Sequence, residues 1–132
     1  MQTVDTNIIL RYMLNNDEKL SPYAKDIIDN NTIVVFTEVL CEVVYVLTNV
    51  YKVPREKLAL NLKEFIESTG CILVHKGAIS VGIEYFGKTK LDFVDCLLAG
   101  YNEVENIVLH TFDKDLIKLS NAKKAEKKSQ IK

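Results

Sequence analysis

Short strand-like segments alternate with helical segments along most of this chain, and that alternation limits the folds it can adopt. Residues 33–36 and 71–74 are short, apolar and rich in β-branched side chains, as buried strands are. Between such runs, apolar residues recur at the helical period, for example over residues 55–68. Strands that alternate with helices form a parallel sheet covered by helices on both faces. The pattern therefore predicts an α/β protein with a central parallel sheet of four, or at most five, short strands.

Capping residues, prolines and apolar periods set the expected bounds of each element. We predict strands at residues 1–4, 33–36, 71–74 and 107–110. We predict helices at residues 8–14, 21–30, 37–51, 55–68, 78–88 and 92–102, and a short helix from residue 113 to residue 119.

Length and charge distribution indicate one domain followed by a basic tail. The 132 residues suffice for one compact domain, and the 48% hydrophobic content is typical of a globular protein. Residues 120–132 hold five lysines and one glutamate, so the tail carries a net charge of +4 and the remainder −5. We expect a domain over residues 1–119 and a disordered lysine-rich tail over residues 120–132. The acidic body argues against a protein that coats nucleic acid through charge alone.

Cysteine usage and hydropathy indicate a reducing compartment. The three cysteines, Cys41, Cys71 and Cys96, lie in apolar segments, and their odd number argues against a disulfide framework. We expect free, buried thiols. Neither a signal peptide nor a segment suited to crossing a bilayer is apparent, so we expect a cytoplasmic protein without membrane contact.

Glu42 is an acidic residue inside the otherwise apolar run 39–47. A buried charge is unfavourable unless it is paired or bound to a metal ion. Because Glu42 lies well inside its predicted helix, neither helix capping nor the helix dipole explains it. We therefore expect Glu42 to be buried at a functional site. The alternative is an exposed polar stripe shared with Glu38 and Asn49.

Four aspartates stand at predicted strand ends and helix starts. Asp5, Asp92 and Asp113 occupy N-cap positions, and Asp95 lies in a first helical turn, so each has an ordinary structural explanation. Ligands of open parallel sheets, however, bind beyond the carboxyl ends of the strands. Asp5 follows the first predicted strand and Asp113 follows the fourth. If these acids converge with Glu42, a divalent cation such as Mg²⁺ or Mn²⁺ would relieve their repulsion.

Four segments resemble the successive motifs of a known family. Residues 4–11, 37–47, 92–99 and 111–116 are similar, in order and spacing, to the motifs of PIN-domain ribonucleases, and the nearest subgroup is the VapC-type toxins. The resemblance covers residues 4–119. It implies a three-layer α/β/α PIN-like fold and an endoribonuclease that uses Mg²⁺ or Mn²⁺ to activate the attacking water.

The resemblance also assigns roles to individual residues. The family's four catalytic acids correspond to Asp5, Glu42, Asp95 and Asp113. The implied metal ligands are these four residues together with Asp92. Neighbouring polar positions that support them correspond to Thr6, Asn7, Thr111 and Asp115.

Several functions remain open at this stage. The resemblance implies an RNA substrate, a cognate antitoxin protein and a homodimer, as in type II toxin–antitoxin pairs. A PIN nuclease of RNA processing without an antitoxin is the second interpretation. A non-catalytic PIN-like module that binds a protein partner is the third. We expect Arg11 to be a solvated helix end, although it could contact RNA or a partner.

Overall fold

The computed structural model describes residues 1–120 and the backbone of residues 123 and 124. Its elements are β1 (Gln2–Thr3), α1 (Thr6–Leu14), α2 (Leu20–Asp29), β2 (Ile33–Val34), α3 (Thr37–Asn49), α4 (Arg55–Thr69), α5 (Lys76–Lys88), α6 (Phe93–Glu105), β3 (His110–Thr111), α7 (Lys114–Leu119) and β4 (Lys123–Lys124). The chain divides into two compact units, Met1–Lys76 and a second that begins at Gly77. The helices confirm the predicted order, and their bounds differ from the predicted ones by a few residues.

The first unit is built on a small parallel sheet. Strand β1 pairs with β2 so that Gln2 lies opposite Ile33 and Thr3 opposite Val34. Ile72 adds one parallel bridge, because its amide donates to the carbonyl of Ile33 at 2.8 Å and its carbonyl accepts from the amide of Val35 at 2.9 Å. The strand predicted over residues 71–74 is thus reduced to a single bridged residue.

Backbone turns on both sides explain why the segment 71–74 forms only a single bridge. Gly70 adopts a left-handed conformation with φ of 64°, and His75 does so with φ of 61°. These two turns bracket the segment and leave little extended chain to pair. Cys71 and Leu73 are still buried while Ile72 and Val74 are exposed, so the side chains alternate as in a strand.

The predicted single sheet of four strands is wrong for the part of the chain that is described. Strands β3 and β4 form a separate parallel pair, with His110 opposite Lys123 and Thr111 opposite Lys124. The apolar run at 107–109 is not a strand, and Ile107 and Val108 are exposed. The protein is therefore a mostly helical α/β protein with small parallel sheets. The disorder predicted for the tail concerns residues that are largely outside the described ones, and it stays a prediction.

Helices α1 to α4 bury the apolar stripes that their sequences predict. In α3 the buried residues are Leu40, Val43, Val44 and Leu47. In α4 they include Leu58, Leu62, Phe65 and Ile66. The ring of Tyr12 from α1 meets that of Phe65 edge-on at 5.5 Å. Burial of these stripes fixes α1 and α3 beside each other at the end of the β1–β2 sheet.

Two glycines in the second unit let α5 and α6 approach closely. A Cβ atom on Gly100 would lie 2.1 Å from the carbonyl oxygen of Ala78, and one on Gly82 would lie 2.9 Å from that of Cys96. Phe86 and Phe93 pack edge-on at 5.3 Å near the start of α6. This contact holds the first turn of α6, where Asp95 lies, in a fixed position.

Cys41, Cys71 and Cys96 are free thiols, the last two buried and Cys41 only half-buried. Among residues 1–120, every helix is too short or too polar to span a bilayer.

Candidate functional site

Asp95 in the second unit lies within electrostatic reach of two other aspartates, Asp92 and Asp113. Asp95 lies half-buried in the first turn of α6. Burial raises its pKa above the ordinary value, and the negative charges of Asp92 and Asp113 raise it further. All three causes favour the protonated form of Asp95. A carboxyl group in such surroundings gains most from a cation that would offset the neighbouring charges.

Asp92 and Asp113 were both predicted as helix N-caps, but only one of them caps a helix through its side chain. Asp113 does cap α7, since its Oδ1 accepts from the amides of Asp115 at 2.8 Å and Leu116 at 3.0 Å. Asp92 precedes α6 but its side chain makes no capping hydrogen bond. Capping therefore explains Asp113 but leaves the carboxylate of Asp92 without that structural role, so Asp92 is the better candidate for a ligand.

The small polar residues near Asp113 organise the turn between β3 and α7. The Thr111 hydroxyl accepts from the backbone amide of Asp113 at 3.0 Å. This bond and the cap on α7 hold the Asp113 backbone in an extended conformation. A carboxylate has two oxygens, so capping through Oδ1 leaves Oδ2 as a possible ligand atom. Asp115 is exposed in the first turn of α7.

Asp5 in the first unit lies at the carboxyl end of β1 and caps α1. Its Oδ1 accepts from the amide of Ile8 at 3.1 Å, and the side chain is exposed. Thr6 and Asn7 follow directly in the first turn of α1, Thr6 half-buried and Asn7 exposed. Asp5 thus lies where ligands of parallel sheets bind.

The burial predicted for Glu42 is wrong. Its side chain is exposed, and Glu38, Tyr45 and Asn49 on the same helix are exposed as well. The apolar residues beside Glu42 in sequence belong to the stripe that faces the core, and the helical period turns Glu42 away from it. The alternative of an exposed polar stripe describes α3 correctly. A role for Glu42 as a metal ligand stays a prediction.

The acidic side chains of residues 1–120 do not form an assembled metal site. Among residues 1–120, no group of three or more histidines, cysteines, aspartates or glutamates stands close enough to hold a metal ion. The donor chemistry nevertheless fits Mg²⁺ or Mn²⁺, which prefer carboxylate oxygens. Asp92, Asp95 and Asp113 are near enough to affect protonation but not arranged as ligands of one ion, as is expected for mutually repelling carboxylates.

Asp5 borders a cleft in the first unit that the sequence did not predict. This cleft, here called the N-terminal cleft, has a volume of about 780 Å³. It is formed by β1, α1, α2 and the start of α3, and its lining includes Asp5, Asn7, Arg11, Tyr23 and Phe36. The one sequence signal for it was Phe36, an aromatic residue at the end of a segment predicted as a strand.

Arg11 lies in the last turn of α1, and the expectation of a solvated side chain is met only in part. It is half-buried and lines the N-terminal cleft. Its Nη1 donates to Oδ1 of Asn16 at 3.1 Å, which orients the guanidinium group. A guanidinium group has five N–H donors, so this bond leaves others for a ligand.

Comparisons with known proteins identify the family. Neither a search of curated proteins nor a search of solved structures returned a significant match. The sequence profile of the PIN domain matches residues 3–122, which is most of the chain and includes every candidate site residue. Together with the small parallel sheet and the acidic residues at strand ends and helix starts, this match shows that the chain belongs to the PIN domain family.

Proposed function

We propose that this protein is an endoribonuclease that hydrolyses RNA phosphodiesters with Mg²⁺ or Mn²⁺. PIN domains are typically metal-dependent nucleases, and PIN nucleases act on RNA. The observation that carries the proposal is the match of the PIN domain profile to residues 3–122, and the half-buried Asp95, whose pKa is raised by burial and by the charges of Asp92 and Asp113, supports it. Functional sites are where such perturbed groups collect.

The aspartates of the second unit have distinct parts in this proposal. Asp95 and Asp92 would supply carboxylate oxygens from the start of α6, and Asp113 would supply its Oδ2 while Oδ1 keeps α7 capped. When bound, the metal ion lowers the pKa of a water molecule and stabilises charge on the phosphoryl oxygens. By the family resemblance, Asp5 and Glu42 correspond to two further acidic positions of the family. Thr111 orients the Asp113 backbone through its hydroxyl.

Cleavage of defined single-stranded RNAs tests this function directly. The protein should cut RNA with Mn²⁺ and stop when EDTA is added. Asp95→Asn should lower the rate by more than about a hundredfold, because loss of one electrostatic contact to a transition state has effects of that size. Asp26→Asn is the matched control, since Asp26 is an exposed aspartate of α2. Undiminished cleavage by Asp95→Asn would remove Asp95 from the mechanism.

We further propose that the enzyme is the toxin of a type II toxin–antitoxin pair, a cytoplasmic homodimer restrained by a cognate antitoxin protein. The support is the similarity of four ordered motifs to those of VapC-type toxins. Expression of the wild-type chain should then arrest growth of the host cell, whereas expression of Asp95→Asn should not. Normal growth together with confirmed RNA cleavage would favour a nuclease of RNA processing.

A further inference from the structure

The N-terminal cleft combines chemical groups that seldom share one small surface. Tyr23 is 61% exposed and Phe36 is 48% exposed, although large aromatic side chains are usually better buried. Both line the same cleft as Asp5 and Arg11. Two exposed rings, an acid and the half-buried residue Arg11 therefore surround one volume of about 780 Å³. That volume lies within the roughly 300–1,000 Å³ of small-ligand sites.

The sheet register explains why an aromatic ring lines the same cleft as Asp5. Gln2 pairs with Ile33 and Thr3 with Val34, so strands β1 and β2 run parallel and end at the same edge of the sheet. Asp5 and Phe36 are each two residues beyond the end of their strands. Both residues line the N-terminal cleft at this edge of the sheet. The register thus brings Phe36 to the same cleft as an acid of the proposed catalytic set.

We propose that the N-terminal cleft binds one unstacked nucleotide of a single-stranded RNA. Tyr23 and Phe36 provide stacking surfaces for its base, and Arg11 contacts its phosphate. Proteins recognise single-stranded RNA by stacking splayed bases on aromatic rings. Arginine suits phosphate because its planar group donates two parallel hydrogen bonds. The inference rests on the proposed ribonuclease function, since it makes the cleft a substrate subsite beside Asp5.

Binding of RNA without cleavage provides the test. The background variant is Asp5→Asn in buffer with EDTA, because asparagine can still cap α1 and cleavage is not measured. The probe is a short, fluorescently labelled single-stranded oligoribonucleotide, and the readout is its dissociation constant by fluorescence anisotropy. Tyr23→Ala and Phe36→Leu should each weaken binding by about five- to a hundredfold, the range for loss of one stacked base. Phe36→Leu retains an apolar side chain in case alanine impairs folding.

Two controls separate stacking from general effects. Tyr51→Ala removes another exposed tyrosine of the same unit, beyond the end of α3 and outside the cleft lining, and should leave binding unchanged. Arg11→Ala should lower the slope of log affinity against log salt by about one, whereas Tyr23→Ala should not alter that slope. Replacing the stacked nucleotide of the RNA by an abasic one should weaken binding to the background variant as much as Tyr23→Ala does. The abasic RNA should not weaken binding further when the protein already carries Tyr23→Ala.

The outcomes distinguish the subsite from the catalytic function. Unchanged binding by both ring variants, equal binding of all abasic RNAs, or no RNA binding by the folded protein would overturn the subsite. A change in oligomeric state without a change in RNA affinity would also overturn it, because the cleft would then hold another protein chain. RNA binding that depends on Tyr23 and Phe36, without Mn²⁺-dependent cleavage, would support the subsite and contradict the proposed nuclease activity.

Discussion

At the scale of single residues, Asp95 is the position where structure adds most to sequence. The sequence places it in a first helical turn, where an acid has an ordinary role. In the structure Asp95 is half-buried, and the negative charges of Asp92 and Asp113 raise its pKa. Its raised pKa therefore results from packing as well as from local sequence, and the neighbour Asp113 is distant along the chain.

This arrangement predicts that metal-free Asp95 destabilises the fold at neutral pH. In the window above the ordinary aspartate pKa of 3.8, the folded protein holds the Asp95 proton more tightly than the unfolded chain does. Stability therefore falls as pH rises through that window. In EDTA, Asp95→Asn should raise the urea midpoint at neutral pH, and the difference should shrink as pH falls below 3.8.

Asp26→Asn again serves as the control for this measurement. Asp26 accepts a hydrogen bond from Nδ2 of Asn30 at 2.7 Å on the exposed face of α2, and an asparagine oxygen can replace that acceptor. The pH dependence of its stability should follow that of the wild type. An Asp95→Asn profile parallel to the wild type at every pH would show that Asp95 titrates normally.

At the scale of elements, helix contacts were less predictable than helix positions. The apolar period of α4 predicts which of its residues are buried, and the structure confirms Leu58, Leu62, Phe65 and Ile66. Nothing local in the sequence shows that Gly82 and Gly100 mark the α5–α6 contact. A glycine inside a helix is ordinarily unfavourable by about 0.5–1 kcal/mol relative to alanine, so close packing accounts for their use.

Gly100→Ala should therefore destabilise the protein despite the higher helix propensity of alanine. The added methyl group would lie 2.1 Å from the backbone oxygen of Ala78, so α5 or α6 must shift. We expect a loss of about 1–3 kcal/mol or more in the free energy of unfolding, measured by urea denaturation. Displacement of α6 should also reduce Mn²⁺-dependent cleavage.

Gly77→Ala is the matched control in the first turns of α5. Its added methyl group would meet Cγ1 of Val104 at 3.5 Å, an ordinary contact. We expect no loss of stability, or a gain of up to about 1 kcal/mol from helix propensity. If Gly100→Ala proved as stable as Gly77→Ala, the close α5–α6 contact would be wrong.

At the scale of the whole molecule, the excess of negative charge over residues 1–119 is the main feature. Residues 1–119 carry a net charge of −5, and several of these acids lie at strand ends and helix starts. Acidic residues placed this way suit a protein that gains stability from a divalent cation. Ligands that bind only the folded state raise its stability according to their free concentration.

Mn²⁺ should therefore raise the thermal midpoint of the whole protein. At about a hundred times its dissociation constant, the ion should add about 2.7 kcal/mol to the free energy of unfolding. EDTA should reverse the shift, and Asp95→Asn should show little of it. An equal shift in wild type and Asp95→Asn would place the bound ion elsewhere.

The sequence by itself determined the order of helices, their periods, the caps on α1 and α7, and the acidic residues that mark the family. These properties depend on side chains within a few residues of one another, so local physics decides them. Tertiary structure alone decided that the described strands are two residues long, that Glu42 is exposed, and that Phe36 and Asp5 line one cleft. Strand pairing and burial depend on residues distant in sequence, and no local pattern records which of them will meet.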